Sequence, residues 1–313
     1  MTITRRQFAM LAAAALAAPS AFAADGDLKK KAKKNIKLAI FTGVYSKLPL
    51  AEAAARIHDD GFSGVALEGQ FADVRFDPLA PDWEAAKKIT DALRRNNLPI
   101  VGLYGYYNVV DPDPAKRRLG EQRMQFLIEN WERFGCPNIS TETGTFNAQS
   151  EWVESPRNYT EEGYVECRQA FEKLVKSAEK TRAIISIEAY WRNVIDSVAR
   201  AQRLFKDIDS PSLKLVMDPC NYFRKEDLPR MDAMLKEIFE RIGRQTVIAH
   251  AKDVIAAADG TDLPASGRGV LNYPLYLRLL AGLDREVYLA IEHLTLDDVP
   301  RSRDFVLSQF DKI

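Results

Sequence analysis

Eight short apolar runs of β type recur along the chain, at 36–42, 63–67, 100–104, 138–141, 183–187, 213–217, 246–249 and 286–291. Between them lie segments whose apolar residues repeat near every 3.6 positions, at 50–59, 83–96, 121–134, 161–180, 194–206 and 231–242. Turn signals close several of these units: Asp60-Gly61, Asn96-Asn97 before Leu98-Pro99, Phe134-Gly135, and Asp209-Ser210-Pro211. A strand that is apolar throughout is buried on both faces, and such strands alternating with helices form a parallel sheet. Eight βα units within about 280 residues match the size of a closed barrel. The pattern therefore predicts an α/β chain, a single-domain (β/α)8 TIM barrel over 36–313. The rival is an open doubly wound sheet, which usually has fewer strands and a glycine-rich phosphate turn after the first. Here Phe41-Thr42-Gly43-Val44-Tyr45 carries one glycine.

Composition narrows the picture. With 313 residues, 46% of them hydrophobic, the chain has material for one large core. Its 44 basic and 44 acidic residues are mixed along the sequence, so it shows no electrostatic footprint for nucleic acid, and none is expected as a partner. Thr4-Arg5-Arg6-Gln7-Phe8, the Ala- and Leu-rich run at 9–18 and Ala21-Phe22-Ala23 read as a twin-arginine signal peptide over 1–23. Its apolar run is short of the roughly 20 residues that span a bilayer, which leaves an uncleaved anchor as the minority alternative. Cleavage near Ala23 removes Arg5 and Arg6 and no acid, giving 42 basic against 44 acidic residues, a net of −2. The expected location is periplasmic or exported, with the twin-arginine export machinery as a partner that carries the chain already folded. Residues 24–35, with Lys29-Lys30-Lys31-Ala32-Lys33-Lys34, read as a solvated basic lead-in. Cys136, Cys167 and Cys220 form no close-spaced pair and are expected to pack.

The connections at 106–118 and 143–160 are longer than most and follow the C-terminal ends of the third and fourth strands, where barrel active sites are built. They carry Tyr106, Tyr107, Phe146, Trp152 and Tyr159. Aromatic faces stack on the apolar faces of sugar rings, so these loops read as walls or a lid. For any one of the five, packing the loop down is an equal alternative.

The chemistry lies at the ends of the last four strands. Four apolar runs end in Glu188, Asp218, His250 and Glu292, at separations of 218 − 188 = 30, 250 − 218 = 32 and 292 − 250 = 42 residues, each about one βα unit. One buried carboxylate alone would be paired with a nearby Arg or Lys. Three converging on one barrel mouth repel unless a cation sits among them, so the set reads as a metal site. One imidazole among carboxylates suits a hard or borderline divalent ion, with manganese first, then magnesium, cobalt or zinc.

Ile187-Glu188, Met217-Asp218-Pro219-Cys220-Asn221, His250-Ala251-Lys252-Asp253, Gly267-Arg268-Gly269-Val270-Leu271-Asn272-Tyr273 and Ile291-Glu292-His293 together resemble the sugar phosphate isomerase/epimerase family of xylose isomerase-like barrels. The resemblance covers nearly the whole chain after residue 23 and rests on the order and spacing of the ligands. It implies one divalent ion held by Glu188, Asp218, His250 and Glu292, with Glu188 and Glu292 also acting as acid and base. Asn221 departs from relatives that carry a histidine there. Ala66 stands where many carry a glutamate, with Glu68 two residues on. The implied reaction is proton abstraction next to a carbonyl through a metal-stabilised enediolate, on a carbohydrate.

Glu142, Asn221, Lys252, Arg268 and Trp152 are the candidate substrate contacts, with a salt bridge the blander reading of Lys252 and Arg268. His293 should face away from Glu292 in a strand, and His58 should lie on a helix surface. The same site also fits a lyase or dehydratase on a keto-sugar, keto-glycoside or keto-inositol. A noncatalytic periplasmic sugar-binding barrel is a further alternative. A nuclease on this barrel would bring more histidines than three and a basic groove.

Overall fold

A computed structural model describes residues 25–313, so the leader read over 1–23 lies outside the described residues. The barrel strands are β1 (Ile36–Phe41), β2 (Gly64–Leu67), β3 (Ile100–Tyr104), β4 (Asn138–Glu142), β5 (Ile184–Glu188), β6 (Leu213–Met217), β7 (Thr246–Ala251) and β10 (Val287–Ile291). They close in the order β1-β10-β7-β6-β5-β4-β3-β2, every pair parallel. The closing ladder runs from Ile36 opposite Val287 to Ile40 opposite Ile291, which excludes the open sheet.

The helices are α1 (Asp25–Asn35), α2 (Leu50–Asp59), α3 (Trp83–Arg95), α4 (Pro114–Phe134), α5 (Glu161–Thr181), α6 (Val198–Ile208), α7 (Met231–Ile242), α8 (Tyr273–Ala281) and α9 (Val299–Gln309). The large core lies between strands and helices. A second, small one fills the lumen with Ala39, Val216, Ile248 and Ala290. Side chains two apart on a strand share a face. Val216, Ile248 and Ala290 therefore place Asp218, His250 and Glu292 one layer higher in the lumen. Ser186 and Ser140, whose hydroxyls meet at 3.0 Å, do the same for Glu188 and Glu142, which are register partners.

Some boundaries differ from the sequence reading. Helix α4 begins at Pro114, because Asp113 caps it, accepting the Ala115 N–H at 2.8 Å, and Pro114 supplies a first-turn residue that needs no N–H partner. The connection after β3 is correspondingly shorter than expected. The lead-in is helical, not merely solvated: Ala32 is fully buried, Lys29 and Lys33 pair with Asp311, and Lys31 pairs with Asp284. Helix α1 packs against α8. A short antiparallel hairpin, β8 (Ile255–Ala257) with β9 (Gly260–Asp262), projects after β7. Among the described residues no helix is long and apolar enough to cross a membrane.

Candidate active site

Glu188 is the last residue of β5, Asp218 follows β6, His250 lies one residue before the end of β7, and Glu292 follows β10. Their ligand atoms all lie within 4.8 Å of one another. His250 Nδ1 faces Glu292 Oε1 at 3.4 Å, Glu188 Oε1 at 3.5 Å and Asp218 Oδ2 at 3.6 Å, and it has no hydrogen-bond partner. A buried ring nitrogen facing three carboxylate oxygens at 3.4–3.6 Å without a hydrogen bond to any of them is arranged for a shared ion. Two donors each about 2.1 Å from one ion stand roughly 3.0–3.4 Å apart. The donor set and the orphaned Nδ1 thus fit a single divalent cation.

Local structure fixes each ligand. Asp218 caps the short turn Pro219–Tyr222, its Oδ1 accepting the Cys220 N–H at 3.2 Å, which leaves Oδ2 for the centre. The Phe41 ring meets His250 edge to face at a centroid distance of 5.2 Å. Glu188 is held at both oxygens: the Asn221 amide donates to Oε1 at 2.7 Å and the Tyr106 hydroxyl donates to Oε2. Asn221 therefore reaches a ligand directly. Lys252 Nζ lies 2.5 Å from Asp218 Oδ2 and 2.6 Å from Glu292 Oε1.

The electrostatics follow from burial set against these neighbours. Burial pushes the Glu188 carboxyl up, but His250 and Lys252 outweigh it and hold the group down at about 2. Glu292 is likewise held well below the usual carboxylate range, by Lys252 and then His250 acting against burial. Burial raises Asp218. Burial works against the charged form of His250, yet Glu292 and Glu188 hold its imidazole well above its ordinary value. Both glutamates are therefore ionised at neutral pH, the state a base requires.

Glu188 and Glu292 line a cavity of about 880 Å³, whereas Asp218 and His250 are buried behind them. Glu142, Trp152, Asn221 and Lys252 line it with Glu188 and Glu292. Trp152 is 55% exposed at the rim. Arg268 is not brought to the cavity; its guanidinium pairs with Asp298. Of the five loop aromatics, Tyr106 and Trp152 line the cavity, whereas Tyr107 is buried in the core, Phe146 lies under Arg157 and the Tyr159 hydroxyl donates to Glu154. The three cysteines are buried and free.

His293 differs from the alternation argument. The strand ends at Ile291, His293 takes φ +56°, and it lines the cavity, with Nδ1 2.6 Å from the Leu263 carbonyl. His58 is exposed on α2. Glu68 also lines the cavity, held by the Gly43 N–H; a Cβ on Gly43 would meet its carboxylate and displace it. Sequence reasoning took Tyr106 as a wall and missed its bond to Glu188. Its position two residues past the end of β3 was the available signal.

Fold and site together define a parallel (β/α)8 barrel with an acidic, histidine-containing centre at its C-terminal mouth. Residues 54–306 match the family described as xylose isomerase-like TIM barrel, and the chain belongs to that family. No curated protein matches it. Among solved structures, the 3-keto-D-glucoside 4-epimerase YcjR from E. coli is 15% identical over 88% of this chain and 99% of its own, with a TM-score of 0.63. A xylose isomerase-like TIM barrel protein from Mycobacterium smegmatis in complex with magnesium is 15% identical over 90% and 98%, with a TM-score of 0.63. The probable 3-DHS dehydratase AsbF from Bacillus anthracis is 14% identical over 87% and 98%, with a TM-score of 0.63. At these identities the likeness is one of fold.

Proposed function

We propose that this protein is a divalent-metal-dependent sugar isomerase or epimerase that abstracts a proton next to a carbonyl of an unphosphorylated carbohydrate. The observation that carries the reading is His250 Nδ1, buried, without a hydrogen bond, and facing three carboxylate oxygens at 3.4–3.6 Å, two of them on glutamates that line an open cavity. A divalent ion held by Glu188, Asp218, His250 and Glu292, manganese by preference, would supply charge neutralisation for a substrate oxygen that becomes anionic.

The chain's own residues supply the rest. Glu188 and Glu292 follow from β5 and β10, which β6 and β7 separate, so a sugar lying across the cavity presents different faces to them. Each is ionised and can take the proton next to the carbonyl from its side. Tyr106 and Asn221 fix the Glu188 carboxylate. Glu142, Asn221 and Lys252 face the cavity as polar contacts for hydroxyls, and Trp152 offers a ring face at the rim. Export of the folded chain through the twin-arginine route belongs to the same proposal, supported by Arg5, Arg6 and the apolar run that follows them. It favours free sugars or glycosides over sugar phosphates.

The test is a screen of free and glycosidic keto-sugars in deuterated water with added manganese. Deuterium at the carbon next to the carbonyl is the expected result, with an epimer or isomer as product. An eliminated product instead would make the enzyme a lyase or dehydratase on the same site. Substrate binding without any exchange would leave a sugar-binding barrel.

A further inference from the structure

We propose that Lys252 is a resident cation of the metal centre, sharing the ion's carboxylate ligands and thereby lowering the affinity with which the ion is held. The inference rests on reading His250 and the three carboxylates as a metal centre, and adds a residue that this reading does not require.

The lysine Nζ lies 2.5 Å from Asp218 Oδ2, 2.6 Å from Glu292 Oε1 and 3.7 Å from Glu188 Oε1. Those are the same three oxygens that face His250 Nδ1. The ammonium and a bound ion would thus draw on one set of lone pairs. Nor is this a surface ion pair of little consequence: Lys252 is 2% exposed and Asp218 1%. Strand alternation sends Lys252 to the lumen side that His250 occupies. The Tyr273 hydroxyl donates to the Lys252 carbonyl at 2.8 Å and the Cys220 thiol reaches it at 3.5 Å, so the backbone that aims the side chain is fixed.

Charge counting gives the direction. Three carboxylates carry −3, the ammonium +1 and a divalent ion +2, so the filled centre is neutral with Lys252 and −1 without it. Removing the ammonium removes a like charge beside the ion and frees the shared oxygens, both of which favour the ion. The opposite role is a supporting hydrogen bond that orients a ligand, whose loss typically weakens metal affinity about 10–100-fold. The two roles predict opposite signs. Contact with the very oxygens aimed at His250 decides for competition.

The experiment is a manganese titration of the purified, chelator-stripped protein by calorimetry and by the electron paramagnetic resonance signal of free manganese. Wild type is compared with Lys252→Met, of similar length and no charge, and Lys252→Arg, which keeps the charge. The Met variant should bind manganese on the order of tenfold more tightly or better, since a unit charge in a buried site is little screened. The Arg variant should stay near wild type. If the Met variant binds equally or more weakly, the inference is overturned while the centre stands. If wild type takes up no manganese, magnesium or zinc, the reading of the centre itself fails. Should the stripped Met variant not fold, Lys252→Met and wild type are prepared loaded, and the rate of manganese loss to a chelator is compared; faster loss from the variant overturns the proposal and slower loss supports it.

Discussion

Replacing Glu142 with glutamine should remove a pH dependence of stability that the wild-type chain carries between mildly acidic and mildly alkaline solution. Glu142 ends β4 at 5% exposure, and its Oε2 has no hydrogen-bond partner. Burial first, then the negative charges of Glu151 and Glu188, push its carboxyl from 4.5 up to about 8. The folded chain therefore keeps a proton that the unfolded chain has released. Below the unfolded value both states are protonated and the group costs nothing. Between the two values stability falls as pH rises, and above about 8 the whole cost is present. The interval is 8 − 4.5, about 3.5 units, which at 1.36 kcal/mol per unit sets a ceiling of roughly 5 kcal/mol. Water penetration and local relaxation would bring the measured figure down to about 1–3 kcal/mol, still a sizeable part of a typical 5–15 kcal/mol. Glutamine has the same shape and no proton to lose, so Glu142→Gln should gain stability over wild type steadily from pH 4.5 to 8.5. Urea unfolding of the chelator-treated proteins measures this, because a divalent ion nearby would favour the carboxylate and mask the effect. A difference between the two proteins that stays flat across that range would refute the reasoning.

Stripping the ion should abolish activity and lower the melting temperature, because an ion present at 100 times its dissociation constant adds about 2.7 kcal/mol. Asp218→Asn and His250→Ala should each weaken metal uptake in a direct titration, and a chelated protein with unchanged melting and turnover would sink the metal reading. Glu188→Gln and Glu292→Gln keep one oxygen ligand and lose the base, so turnover should fall about 10²–10⁴-fold with substrate binding little changed. Near-normal turnover in both variants with metal bound would confine the two glutamates to ligation.

The barrel could be read from the chain because most of its strands are rich in apolar residues and its helices amphipathic, two patterns that local sequence carries without help. All eight runs became barrel strands, with ends shifted by a residue or so. Helix starts were less legible. Asp113-Pro114 was a capping signal in plain view, but the apolar period becomes clear only further on, so α4 was begun too late. Helix α1 has little apolar period of its own: its lysines dominate the pattern, and its fixed contacts lie with Asp311 and Asp284 at the far end of the chain. No local window shows a partner so distant in sequence.

The site divides along the same line. That Glu188, Asp218, His250 and Glu292 would converge followed from one ionisable group per strand end, and the lumen layering of Val216, Ile248 and Ala290 beneath three of them is the physical form of that rule. Period-two alternation also placed Lys252 beside His250. The same rule failed one strand later, because β10 stops at Ile291 and His293 takes a left-handed backbone that returns it to the cavity. Here alternation carries one residue past the strand end, to Asp218, Lys252 and Glu292, and fails at the second. Contacts between strands need register and loop path, which spacing does not contain. Tyr106 reaches Glu188 across 82 positions and Glu68 is held by Gly43 across 25, so neither could be assigned from its own neighbourhood. Arg268 shows the converse: it sits in one of the segments that resemble the family, yet Asp298 takes its guanidinium. A motif fixes which residues approach the mouth of the barrel, and the competition for charge partners there fixes which of them face the substrate.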